Sequence, residues 1–191
     1  MSPLTVEVTI TREQVIDALF ARLALPAATT KTTTPPRIGE TWPEEGGIYA
    51  GVMRGEDGGS DYHLIVPTQE EAYAKAIEWG AQGVDEPGAK HMRDGYANTT
   101  ALVDSESDHP AAEWAAALEI DGHSDFYLPS RAELRLIWVN VPELFEDGWY
   151  WSSTQSSPNG AWGQTFPGGN QYGAYKDGGG RARAVRRLSV I

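Results

Sequence analysis

An α+β domain closed by a C-terminal β-meander is the architecture the sequence predicts, and three observations carry it. Four short segments follow one another from Gly148 to Leu188: Gly148–Thr154, Ala161–Phe166, Gln171–Lys176 and Arg181–Leu188. Each is bounded by Gly, Pro, Asn or Asp, which tolerate φ > 0 or preset φ and so turn a chain sharply. Earlier, Gly47–Met53 and Tyr62–Val66 face each other across a Gly- and Asp-rich tip, the pattern of a β-hairpin. Between hairpin and meander lie several helix-start signals, so strands and helices are segregated along the chain.

The elements follow in order. Leu4–Ile10 alternates as a short strand would. Thr11-Arg12-Glu13-Gln14 then has capping-box spacing, and Val15, Ile16, Leu19, Phe20 and Leu23 continue at helical spacing up to Pro26. The run Ala27–Pro36 is a Thr/Pro linker, which places a boundary near residue 38. The chain therefore reads as residues 1–38, an attachment or oligomerisation element with its linker, and residues 39–191, the main domain. After the hairpin, Thr68-Gln69-Glu70-Glu71 is a second capping box and predicts a helix to about Ala81. Residues 83–108 read as mostly loop. Pro110 preorganises a helix to about Leu118. Ser130-Arg131-Ala132-Glu133 is a third capping box and starts a helix through Leu134, Leu136, Ile137 and Trp138. In the meander, alternation places Arg181, Arg183 and Arg187 on one sheet face, with the acidic body as their natural counter-charge.

Composition narrows the function. The chain has 191 residues, a net charge of −12 and no cysteine. Residues 40–125 hold nineteen Asp or Glu against four Lys or Arg. A body this acidic repels phosphate, so neither nucleic acid nor an anionic membrane is an expected partner. No apolar run reaches the roughly eighteen residues a membrane-spanning helix needs, and no basic-then-apolar leader opens the chain. Synthesis and folding in a cytoplasm are expected, with later incorporation into a particle. Absence of cysteine removes thiolate nucleophiles and sulfur-bound zinc.

The motifs resemble a known family. Tyr150-Trp151-Ser152-Ser153-Thr154, then Ala161-Trp162 and Phe166, then Arg183-Ala184-Val185-Arg186 are similar to the closing motif of the Lcl C-terminal-domain family. Asp125-Phe126-Tyr127-Leu128-Pro129-Ser130-Arg131-Ala132-Glu133-Leu134 resembles its DWRLPT-x-x-EL signature, with Phe-Tyr where Trp-Arg is common. Gly46-Gly47-Ile48-Tyr49 fits its opening hairpin. The likeness spans about residues 40–190. It implies a C-type-lectin-like fold, found in bacterial surface proteins and tailed-phage genomes and related to the formylglycine-generating group.

The chemistry of that group needs a cysteine that this chain lacks. Calcium-dependent sugar binding of the lectin type uses a carboxylate or amide before Pro-Asn; here Ser157 stands before Pro158-Asn159. Asp104-Ser105-Glu106-Ser107-Asp108 spaces carboxylates without the Gly and Glu that an EF-hand loop requires, and reads as a solvated acidic loop. The histidines, His63, His91, His109 and His123, have no ligand spacing. No cofactor and no metal are expected, and no catalytic set emerges; a carboxylate pair drawn from loops 57–61 and 104–108 is the one enzymatic alternative.

An aromatic and amide set remains: Trp149, Trp162, Gln164, Asn170, Gln171, Tyr172, Tyr175 and Lys176. Tyr, Trp and Asn give large contact area and adaptable hydrogen bonds at low entropic cost, so this set is the candidate ligand-binding face. Trp151 is expected in the core. The expectation for function is a non-enzymatic structural and recognition protein of a tailed-phage or prophage particle. It would hold virion proteins or its own copies through residues 1–25, as a homo-oligomer, and touch a host-surface glycan or protein. A bacterial surface adhesin or glycan-binding module, and an architectural decoration protein, are the alternatives.

Overall fold

A computed structural model describes residues 34–190 except Asp57. The strand and helix expected within residues 1–25, and most of the linker, lie outside the described residues. The chain divides at Thr34/Pro35, and everything below concerns the unit that follows. Its described residues form nine strands and three helices in two sheets. In chain order these are β1 (Thr41–Trp42), β2 (Gly47–Met53), β3 (Tyr62–Val66), β4 (Tyr73–Ile77), α1 (Gly95–Val103), α2 (Pro110–Ala116), α3 (Arg131–Asn140), β5 (Gly148–Ser157), β6 (Gly160–Phe166), β7 (Gln171–Tyr175), β8 (Gly180–Arg183) and β9 (Arg186–Ser189). The mixed α+β class expected from the sequence is what the structure has, and none of the described helices is long and apolar enough to cross a membrane.

The hairpin forms as expected, β2 against β3 in antiparallel register. The C-terminal segments behave differently from a four-strand meander. Strands β5, β6 and β7 run antiparallel in sequence. Strand β8 leaves them, pairing parallel to β5 and antiparallel to β4, and β9 crosses into the other sheet to pair with β3. The sheet orders are therefore β1-β2-β3-β9 and β4-β8-β5-β6-β7. The switch occurs at Ala184-Val185, both fully buried, with Val185 bridged to Tyr127. Arg187 consequently sits in a different sheet from Arg181 and Arg183, and the common face expected for the three does not exist. Their expected counter-charges are partly present. Arg186 binds Asp125 and Glu45, and Arg187 binds Asp94 at 2.9 Å, whereas Arg183 donates to the Pro67 carbonyl.

Two helical expectations fail for physical reasons. The helix predicted over 68–81 is a single 3-10 turn, Glu70–Ala72, followed by β4. Thr68 caps nothing; instead β8 needs a neighbour for its outer backbone groups, and Tyr73–Ile77 supplies it. Pairing of buried backbone outweighs a local helix signal worth tenths of a kcal/mol per residue. Conversely, the 83–108 stretch read as loop contains α1, capped by the Asp94 carboxylate accepting from the Ala97 amide at 2.8 Å. Its inward positions include Asn98 and Thr99, so it has no apolar stripe to betray it. Asn98 is buried because it is bonded, to both backbone groups of His91 and to the hydroxyls of Ser153 and Thr154.

Helix α3 starts at the expected capping box, Ser130 to Glu133 and back. Glu133 is fully buried and accepts four bonds: from the Tyr62 and Tyr127 hydroxyls at 2.8 and 2.7 Å, and from the Ser130 and Gly95 amides at 2.6 and 3.1 Å. A Cβ on Gly95 would lie 2.3 Å from the Glu133 carboxylate, so only glycine lets the backbone come this close. Around this centre, one apolar cluster joins α1, α2 and the second sheet through Trp79, Leu102, Leu128 and Trp151, the last in the core as expected. Another joins the hairpin, α3 and β5–β6 through Leu64, Ile137, Tyr150 and Phe166.

Glu133→Ala leaves the Tyr127 hydroxyl and the Ser130 and Gly95 amides without an acceptor, while the Tyr62 hydroxyl keeps the Arg93 carbonyl. It is expected to cost about 3 kcal/mol or more of stability, read from the denaturant midpoint. Burial raises the Glu133 carboxyl above its ordinary 4.5, against the pull of hydrogen bonds from Tyr127, Ser130 and Tyr62. The folded state then holds the proton more tightly than the unfolded chain. This contribution is full below pH 4.5 and is lost as pH rises through the raised value. The stability advantage of the native chain over Glu133→Gln is expected to narrow as pH climbs above 4.5; a constant difference would show that the four donors cancel the burial.

Candidate functional site

The register of β5, β6 and β7 decides where the candidate residues stand. Trp151 pairs with Gly163, which pairs with Tyr172, so these share one face; Trp149, opposite Thr165, lies on it too. On that face Trp149 packs edge-on against Trp151 at 4.2 Å and is stacked with Tyr172 at 5.8 Å. The Trp149 ring occupies the space above Gly163, where a Cβ would meet it at 2.2 Å. Tyr150, Gln164 and Gln171 share the opposite face, the one α3 covers. The set expected to form a single binding face is therefore divided between the two sides of the sheet.

On the α3 side, the Arg131 guanidinium lies 3.8 Å above the Trp162 ring, a stacking distance at which cation and ring attract. The Arg131 Nε donates to the Gln171 Oε1 at 2.8 Å. The Gln171 amide in turn donates to the Arg131 carbonyl and the Gln164 Oε1, both at 2.7 Å, and Gln164 donates to the Leu134 carbonyl. Trp162, Arg131 and Gln171 are half-buried and locked together, while Gln164 is fully buried beneath them. One turn along α3, Arg135 lies 5.2 Å from the Trp138 ring, and the Trp138 indole donates to the Pro167 carbonyl at 2.6 Å. Among the described residues, no carboxylate lies within ion-pair distance of Arg131 or Arg135.

Asn170 is exposed at the turn, its amide held by Thr165 Oγ1. Tyr172 and Tyr175 are exposed at 46% and 70%, on opposite faces of β7. Lys176 is not available to any surface ligand. It is fully buried, its Nζ donating to the Val84 carbonyl and the Gln155 Oε1, both at 2.7 Å, and lying 4.6 Å from the Trp79 ring. Burial lowers its pKa, with Glu86 and Asp85 opposing. The sequence signal was misread because Lys176 follows Tyr175 in strand alternation, yet its contacts come from Trp79, Val84 and Gln155, far along the chain. Arg131 is the residue the sequence reading missed: Trp162 is thirty-one positions away, and only the helix-start role of Arg131 was visible.

The remaining polar centres are committed to the fold. His109 is buried, its Nε2 3.0 Å from Glu86, its ring edge-on to Trp79. Asp61 accepts from the Gly55 amide. Asp104 lines a hollow between α1 and the 124–127 segment, whereas Asp108 lines another beside Gly80, so these carboxylates open onto separate depressions. Among the described residues no group of three His, Asp or Glu side chains is arranged to hold a metal ion.

No protein-family model matches the chain, and no curated protein is significantly similar to it.

Lys176→Met keeps the apolar stem and removes the ammonium, leaving the Val84 carbonyl without its donor and Gln155 Oε1 with the Glu86 amide alone. It is expected to cost about 1–3 kcal/mol and to speed amide exchange across residues 82–90, with ligand binding unchanged; binding lost at full stability would return Lys176 to the site.

Proposed function

We propose that residues 39–191 form a C-type-lectin-like recognition module of the Lcl C-terminal-domain type, without enzymatic activity. The module belongs to a tailed-phage or prophage particle and meets a host-surface glycan or protein, or a neighbouring virion protein. The observation that carries this reading is the Arg131–Trp162–Gln171 array. A half-buried aromatic ring, a stacked guanidinium and a bonded amide are held by three different elements, so little conformational freedom remains to be lost on binding. Rigid Trp and Arg side chains are the kind that anchor interfaces. The motifs behind the family likeness also meet in space, since Arg186 ties Asp125 to Glu45 beside the opening hairpin. Buried groups that resemble catalytic ones, Glu133 and His109, already have structural partners.

The exposed Tyr172–Trp149 stack on the other face supports a second reading, an architectural contact covered by neighbouring subunits. The two faces are separable by mutation. Binding of the purified protein to host cells is expected to weaken by roughly 2 kcal/mol or more in Trp162→Ala. Tyr172→Ala should leave cell binding intact if its face is an assembly contact. Unchanged binding in both variants removes the sheet from host recognition.

A further inference from the structure

Strand β7 is the open edge of the second sheet, whose order ends β5-β6-β7. Two bonds set the phase of its ladder: the Lys176 amide donates to the Asn159 carbonyl at 3.1 Å, and the Thr165 amide to the Asn170 carbonyl at 2.9 Å. In an antiparallel ladder the bonded positions alternate. Tyr172 and Ala174 thus turn their amides and carbonyls towards β6, and Gln171, Gly173 and Tyr175 turn theirs outward. Among the described residues, the only backbone bond made by this outward row is the Tyr175 carbonyl accepting from the Gly178 amide in the following turn.

Natural edge strands are guarded by charge, proline, bulges or shortness. The opposite edge, β4, carries Lys75 and a register shift, and the edge of the first sheet, β1, is two residues long. Gln171-Tyr172-Gly173-Ala174-Tyr175 has no charge and no proline, and its register with β6 is unbroken across five pairs. It is also self-complementary. A two-fold axis at Gly173 sets Gly173 against itself and Gln171 against Tyr175 of the second copy, so every outward amide meets an outward carbonyl. The same axis sets Tyr172 beside Ala174 of the second copy, large against small. Two chains of net charge −12 can approach along this strand without opposing a charged residue to another.

We infer that β7 is a self-association edge, at which two copies of this chain pair antiparallel about Gly173 and join their five-stranded sheets. The contact is a strand edge and two tyrosines per copy, hence weak and reversible alone, and strengthened wherever another element already holds copies together. It does not depend on what the domain recognises, and it carries the two Arg131–Trp162 arrays as a symmetric pair.

The chain lacks cysteine, which makes the test direct. Opposed residues of a bonded antiparallel pair have Cα atoms about 5.5 Å apart, within disulfide range. In the full-length chain, Gly173→Cys is expected to oxidise to a covalent dimer at least tenfold faster than Val139→Cys, an exposed position on α3. In sedimentation, Gly173→Pro removes an outward amide and leaves the β6 ladder intact; it is expected to weaken self-association at least tenfold. Because its Cβ would meet Ser156 Oγ at 2.9 Å, its unfolding midpoint is measured beside that of Gly173→Ala, which carries the same Cβ and keeps the amide. Tyr175→Lys, an exposed substitution, should act the same way by placing charge on the edge. Equal oxidation at 173 and 139 overturns the inference, as does self-association indifferent to both Gly173→Pro and Tyr175→Lys. Slow oxidation at 173 with association still sensitive to proline would mean that a different strand occupies the edge, and this too overturns it. Loss of cell binding in Trp162→Ala with the 173 cross-link preserved bears on recognition alone.

Discussion

One buried carboxylate holds the domain in register. Glu133 takes hydrogen bonds from β3 through Tyr62, from the 125–130 segment through Tyr127 and Ser130, and from the start of α1 through Gly95. A carboxylate in an apolar interior is costly unless its acceptor sites are filled. The cost therefore enforces geometry: any arrangement that misplaces one of these four donors leaves a charged or polar group stranded. The first sheet, α1 and α3 can meet in only one way around it. The capping box that starts α3 is part of the same constraint, because the side chain that reaches back to Ser130 is the one that the two tyrosines grip.

Arg186 performs the corresponding task at the other end of the chain. Its guanidinium binds Asp125 at 2.8 and 3.1 Å and reaches the Glu45 carboxylate at 2.9 Å and the Glu45 carbonyl at 2.7 Å. Planar, multiply bonded guanidinium pairs fix orientation as well as distance. Residues 45, 125 and 186 are far apart in sequence, and this side chain ties them where the last strand pairs with β3 to close the first sheet. Asp125 and Arg186 both fall within the segments that resemble the Lcl C-terminal-domain family. Their chemistry in this structure is that of a clasp, distinct from the surface proposed to meet a ligand.

How much of this was legible in the sequence depended on whether the information was local. The β2–β3 hairpin, α2 and α3 were readable because alternation, a proline at a first turn and a capping box are written in adjacent residues. Strand β4 was misread because its strand character comes from β8, more than a hundred positions away. Helix α1 was missed because its inward residues are polar and satisfied by side chains of β5, so no apolar period appears. The crossing of β9 to the first sheet could not be read from Arg181–Leu188, since alternation describes faces and not neighbours. Of the candidate surface, Trp162 and Gln171 were visible as an aromatic and an amide on late strands. Arg131, which gives them their order, was hidden by distance, and Lys176 was misassigned because Trp79, Val84 and Gln155, all distant in sequence, close around it.

The apparent surplus of aromatics in β5–β7 has a structural explanation that also limits function. Trp151, Tyr150 and Phe166 are core on opposite faces of one sheet, because helices and loops cover it on both sides. A sheet buried on both faces needs large side chains at successive positions and not at alternate ones. What is left over after the core is filled is small and lies towards the β7 edge: Trp162 with its arginine on one side, Tyr172 with Trp149 on the other, and Tyr175 beyond. The recognition proposed for the Trp162 array and the pairing inferred at β7 would then share a border about one strand wide. A partner strand added at β7 would lie in the plane of the sheet, directly beside Tyr172 and one strand away from Trp162, so pairing at this edge touches one ring stack at its rim and leaves the other on β6.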